Sequence, residues 1–119
     1  DQSSANGLSC KIFLLGGYEV GFTISDSRYF PVDGAKLDYF ESGTGSSADS
    51  KRIAYLNGLG TSWWLRTPST SNTNLAFYID SNGLTGGPGV NNSYGIRPAV
   101  ILPSNALFDE TTMLLKGVK

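Results

Sequence analysis

An arginine placed inside an apolar run needs acceptors around it, and this chain has two such runs. One is Trp63-Trp64-Leu65-Arg66-Thr67-Pro68, the other Gly95-Ile96-Arg97-Pro98-Ala99-Val100-Ile101-Leu102. The guanidinium carries five donors and stays charged at any ordinary pH. Each arginine stands close to a proline, which interrupts a strand ladder because it has no N–H to give. The pattern predicts two neighbouring strands with a polar network at their ends. Arg66 and Arg97 are expected to be largely buried and bonded to carbonyls or carboxylates. Such a network is compatible with core architecture alone, since buried polar networks rigidify a fold without touching a ligand. Both tryptophans of the chain lie in the first run. Successive strand residues point to opposite faces. Only one ring can enter a given core face, so Trp63 is assigned to structure and Trp64 to the side facing the loops or an interface.

At 119 residues the chain fits one domain. Residues 1–9 are polar and read as a linker or the end of a preceding segment, which makes residues 10–119 a single domain of a longer parent polypeptide. The net charge is -1, so no basic surplus exists to neutralise phosphates and nucleic acid is not an expected partner. No apolar run approaches the length of a membrane span, so no membrane insertion is expected. There is one cysteine and no histidine. That excludes an internal disulfide, a Ser-His-Asp or Cys-His triad and a histidine-based zinc site. Asp26 with Asp33, or Asp38 with Glu41, could in principle act as glycosidase carboxylate pairs. They fall in helical or loop stretches where solvated charge is the ordinary reading. The expectation is a protein that is not an enzyme and needs no metal or cofactor.

Along the chain, Cys10 to Leu15 is a short apolar run closed by Gly16-Gly17 and reads as a buried strand, with Cys10 an inert small hydrophobe. Residues 18–22 could form one helical turn. Asp33 looks like a helix N-cap, with a helix over residues 34–41. A second short helix is expected over residues 48–56, with Ile53 and Leu56 inward, Lys51 and Arg52 outward, and Asn57-Gly58 at its end. From Trp63 the pattern becomes β. Residues 75–79 form a strand, and Asp80-Ser81-Asn82-Gly83 is a hairpin signal leading to a return strand at Leu84-Thr85. Gly86-Gly87-Pro88-Gly89 is a further turn. Pro98 places the 96–102 strand at an edge or a bulge. Residues 105–118 form a terminal hairpin turning at 109–112.

The stretches Lys11-Ile12-Phe13-Leu14-Leu15, Tyr18-Glu19-Val20-Gly21, Trp63 to Pro68 and Gly95 to Ala99 together resemble a family of unknown function. That family is widespread in Gram-positive gut bacteria and their phages, and its members repeat patterns close to FLLS-x-x-E, WWLRSP and GVRPA. It is similar in layout to the C-type-lectin-like fold. The resemblance implies an α+β domain with two short N-terminal helices packed on a twisted, mainly antiparallel sheet with long loops. The formylglycine-generating enzyme shares that layout and is copper-dependent with a pair of cysteines, whereas Cys10 is alone here. Calcium-dependent lectins carry Glu-Pro-Asn or Gln-Pro-Asp with Trp-Asn-Asp, and none of these occurs in this chain. Asp80 and Asn82 are better read as turn residues.

Residues 69–94 are rich in Ser, Thr, Asn, Gly and Tyr, the composition of adaptable recognition loops. Asn72, Asn74, Asn91, Asn92, Tyr94 and Trp64 are the expected ligand face, with Arg66, Arg97 and Trp63 as its structural support. The functional expectation is a non-catalytic binding module of a phage virion, in a tail or receptor-binding protein, or of a bacterial surface protein. It would recognise a cell-surface glycan or protein through the loops between residues 67 and 95. The alternative is a purely structural domain of a virion or surface protein with no ligand of its own.

Overall fold

Asn57 and Gly58 both take left-handed backbone angles, φ 54° and 80°. Two successive positive φ values make the tight turn that matches the twist of paired strands. The segment is therefore a hairpin, not the end of a helix. Its strands are β2 (Ala54–Leu56) and β3 (Leu59–Thr61), in register Ala54 with Thr61 and Leu56 with Leu59.

The computed structural model describes residues 12–23, 30, 32, 34–44, 48–69, 72–87, 90–102, 105–109, 111–112 and 115–118. Strands precede and follow this hairpin: β1 (Ile12–Leu14), β4 (Trp63–Pro68), β5 (Ala76–Ile79), β6 (Thr85–Gly86), β7 (Pro98–Val100), β8 (Ala106–Phe108) and β9 (Leu115–Val118). They form small antiparallel sheets: β1 with β7, β2 with β3, β4-β5-β6, and β8 with β9. Among the described residues there is no α-helix, only a 3-10 turn at Ser50–Arg52. This overturns the α+β, C-type-lectin-like expectation with its two N-terminal helices.

The reasons are local. Over residues 34–41 Phe40 is the one buried side chain, while Leu37 and Tyr39 are exposed. An eight-residue helix is marginal without a packed face. The backbone bonds elsewhere instead. Leu37 N–H donates to Glu19 O at 3.0 Å, and Gly43 exchanges bonds with Gly21 and Thr23. In the second segment Asp49 caps the 3-10 turn by accepting from Lys51 N–H at 2.9 Å. Asp33, Cys10 and Asp26 lie outside the described residues.

Over residues 17–21 the chain makes hydrogen-bonded turns, Val20 N–H to Gly16 O and Gly21 N–H to Tyr18 O, and not the helical turn expected over 18–22. The 80–83 hairpin is as expected. Asp80 Oδ1 accepts from Asn82 N–H at 2.8 Å and Leu84 N–H at 2.9 Å, and β6 returns along β5. The terminal hairpin also forms, with Asp109 Oδ1 accepting from Thr111 and Thr112 N–H.

β4 organises the core. Trp63, Leu65 and Thr67 are buried and alternate with half-buried Trp64 and Arg66. Val20, Phe22, Phe30, Phe40, Phe77 and Ile79 pack around the buried side of the strand. Phe30 bridges the N-terminal turn and β5, with ring centroids 4.9 Å from Phe22 and 4.8 Å from Phe77. Burying each such side chain contributes about 1.5–3 kcal/mol. Two bonds fix β4 against the end of β1: Arg66 N–H to Leu15 O at 3.0 Å, and Gly17 N–H to the buried Thr67 hydroxyl at 2.8 Å.

Candidate functional site: an aromatic face beside an apolar cleft

Strand alternation sends Trp64 from β4 and Tyr78 from β5 to the side of the sheet opposite the core, where they are ladder partners. Their ring centroids are 6.4 Å apart. The Tyr78 ring also lies against Gly86, its partner on β6; a Cβ there would come within 2.4 Å of the ring. Tyr94 completes the group from the loop. Gly95 anchors that loop to the start of β4, donating to Ser62 O at 2.8 Å and accepting from Trp64 N–H at 3.0 Å. The Tyr94 ring stacks on Tyr78 at 4.5 Å and 12°, and meets Trp64 at 4.9 Å. All three side chains are half-buried. Burial pushes the Tyr78 hydroxyl above the ordinary phenol value, and Tyr94 and then Asp80 add to the shift.

Trp64 also lines an open apolar cleft of about 220 Å³, together with Leu14, Leu65, Ala76, Val90 and Ile96. The loops at its rim are tied to each other, since Val90 N–H donates to Asn74 O at 3.0 Å. Asn72, Asn74, Asn91 and Asn92 are all exposed. The Asn72 side chain accepts from Asn74 N–H at 3.0 Å and so shapes its own turn. Of the six residues expected at a ligand face, the structure brings Trp64 and Tyr94 into ring contact. It places the four asparagines on exposed loops, with Asn74 joined to the Val90 loop beside Asn91.

The two arginines of the apolar runs are half-buried, less than expected, and bonded as expected. Arg66 donates to Leu14 O at 2.9 Å and pairs with Glu19 at 2.5 Å. Arg97 donates to Arg52 O at 3.2 Å and lies 5.0 Å from the Trp63 ring centre. Their runs meet through the Trp63–Gly95 bridge and then part, because β7 pairs with β1 and β4 with β5. Trp63 is buried and Trp64 half-exposed, as the alternation requires.

Among the described residues the deepest charge is one read as outward-facing. Arg52 is fully buried. Its Nε donates to Val20 O at 2.8 Å and its Nη2 to Glu41 O at 2.5 Å; the guanidinium sits 4.2 Å from the Phe22 ring centre. Asp49 stands 3.9 Å away and is also buried. A helical spacing over 48–56 would have turned Arg52 to solvent, and the 3-10 turn followed by a strand does not. Tyr78 was likewise missed, although alternation with Phe77 and Ile79 marks it as the residue on the outer side.

Among the described residues no group of three or more His, Cys, Asp or Glu side chains gathers to hold a metal ion, and no helix is long and apolar enough to cross a membrane. From residue 67 to residue 96 the chain carries one charged residue, Asp80. The family DUF6273, described as a domain of unknown function, matches residues 1–104. No curated protein and no solved structure matches the chain.

Proposed function

The chain belongs to the DUF6273 family, and we propose that it is a non-catalytic binding module whose ligand face is the outer side of the β4-β5-β6 sheet. Its Trp63–Pro68 and Gly95 to Ala99 motifs resemble those of members from Gram-positive gut bacteria and their phages, which supports this reading. Its place is then a phage tail or receptor-binding protein, or a bacterial surface protein. Its partner is a cell-surface glycan or protein, and it works as part of a longer polypeptide.

The observation that carries this reading is the half-exposed cluster of Trp64, Tyr78 and Tyr94 beside an open apolar cleft. Tyrosine and tryptophan combine a large apolar body with a polar edge and are enriched where one side is dry and the other wet. Trp64 and Tyr78 lie on a sheet whose other side is core, and the Tyr94 loop is pinned to β4 through Gly95, so the face is formed before a ligand arrives, which lowers the ordering cost of binding. Asparagine side chains on the adjoining loops offer paired donors and acceptors.

The test is retention of the fluorescently labelled chain on intact Gram-positive cells and on their wall and surface-protein fractions. The parent chain binds, and a Trp64→Ala, Tyr94→Ala variant with an unchanged core binds much less. Equal retention of both moves the site elsewhere. No retention on any fraction favours a structural domain with no ligand of its own.

A further inference from the structure

We infer that the aromatic face takes an uncharged sugar, a pyranose unit of a neutral glycan, packed on the exposed parts of Trp64, Tyr78 and Tyr94. This rests on the binding-module reading and goes further by fixing the chemical class of the ligand.

Charge decides between glycan classes. Between residues 67 and 96 there is no Lys or Arg, so the loops bring no cation to a phosphate, a uronate or a sialic acid. The nearest arginines in the chain are already engaged. Arg66 is held by Leu14 O and Glu19, and Arg97 by Arg52 O. An anionic ligand would lose hydration without gaining a counter-charge, which is unfavourable. The one carboxylate, Asp80, spends Oδ1 on the N–H groups of Asn82 and Leu84.

Surface chemistry decides between a sugar and an apolar peptide. A pyranose has one side of C–H groups and a rim of hydroxyls. Aromatic faces are electron-rich and attract the weakly positive C–H side. The hydroxyl rim needs both donors and acceptors, which neutral amides and phenols supply together. The trio provides the first, and exposed Asn91 with the paired hydroxyls of Tyr78 and Tyr94 provides the second. A peptide anchored by an apolar side chain would instead fill the cleft lined by Leu14, Ala76 and Ile96.

The experiment is an array of neutral and anionic glycans probed with the whole chain. Hits are followed by tryptophan fluorescence titration at low and high salt, and by NMR mapping. Binding to at least one neutral oligosaccharide is expected, with shifts at Trp64, Tyr78 and Tyr94 and little change with salt. Tyr94→Ala should weaken it about tenfold or more, a typical loss for a central aromatic contact. Tyr94→Phe, which keeps the ring, should fold and lose less. Tyr55→Ala, on the β2-β3 hairpin, should bind as the parent does. No neutral hit overturns the inference. So does binding confined to polyanions and lost at high salt, or binding to an apolar peptide mapped to Leu14, Ala76 and Ile96. In the last two cases the binding-module reading stands, and only the ligand class falls. A chain that binds no glycan and is also not retained on any cell fraction loses both.

Discussion

The Trp63 indole N–H donates to the backbone carbonyl of Arg52 at 2.9 Å, in the interior. The same oxygen accepts from Arg97 at 3.2 Å, while the Arg52 side chain reaches the other way to Val20 and Glu41. One residue thus joins the N-terminal turn, the start of β4 and the segment entering β7.

Arg52 is accordingly the most sensitive charged position. Arg52→Ala leaves Val20 O and Glu41 O short of a donor and Asp49 without its buried cation. The expected loss is about 3–5 kcal/mol. Arg52→Lys should recover little, because an ammonium cannot reproduce the planar fork that serves two carbonyls in different directions. Urea denaturation measures both, and a loss below about 1 kcal/mol for Arg52→Ala would contradict the network, since that is no more than one ordinary hydrogen bond.

The tryptophans should separate in both stability and optics. Trp63→Phe removes a buried donor and buried volume and should cost about 2–4 kcal/mol. Trp64→Phe should cost less than about 1.5 kcal/mol, as a volume-similar change on a half-exposed face. In the corresponding single-tryptophan proteins, acrylamide should quench Trp64 readily and Trp63 poorly.

Two glycines at the same φ of 80° should respond differently. A Cβ at Gly58 meets nothing within 4 Å, so Gly58→Ala should cost only the left-handed penalty, about 1–2 kcal/mol. A Cβ at Gly83 would lie 2.2 Å from Asp49 O. Gly83→Ala must displace the backbone that caps the Arg52 turn and should cost clearly more. Equal thermal midpoints for the two variants would show that the 80–83 turn does not press on Asp49.

The carboxyl of Asp109 is held below the ordinary aspartate value, first by the Thr112 N–H and next by Lys116. Its contribution to the β8-β9 hairpin is therefore present above the unfolded-state value. It is lost as pH falls through the lower folded value. Carbon-detected NMR titration should show Asp109 protonating below the ordinary aspartate value, with hairpin shifts following it. Lys116→Gln should move that midpoint upward. No change would remove Lys116 from the account.

Turn chemistry made much of the β architecture readable. The 80–83 and 109–112 turns are specified by Asp side chains that bond to N–H groups two to four residues ahead, so the information is local. Asn57-Gly58 was ambiguous for a physical reason: left-handed φ serves both a helix end and a hairpin. Arg52 was misread because its acceptors, Val20 O and Glu41 O, are 32 and 11 residues away. Periodicity within one segment holds no trace of them. At the candidate site the same logic applies. Trp64 and Tyr94 were legible as amphipathic residues near loops. Their stacking with Tyr78 depends on the β4-β5 register and the Gly95 bridge, which are tertiary facts.

The pairing of β1 with β7 also sets how the domain meets mechanical load. Ile12 faces Val100, so the first residue of β1 and the last of β7 sit side by side across one antiparallel ladder. Tension applied through the flanking chain pulls these two positions apart at the same end of the ladder. The hydrogen bonds are then loaded one after another, like teeth of a zipper, instead of sharing the force. The end of β1 is also bonded to β4 through Leu15 and Gly17, so the ladder with β7 is backed by the core strand.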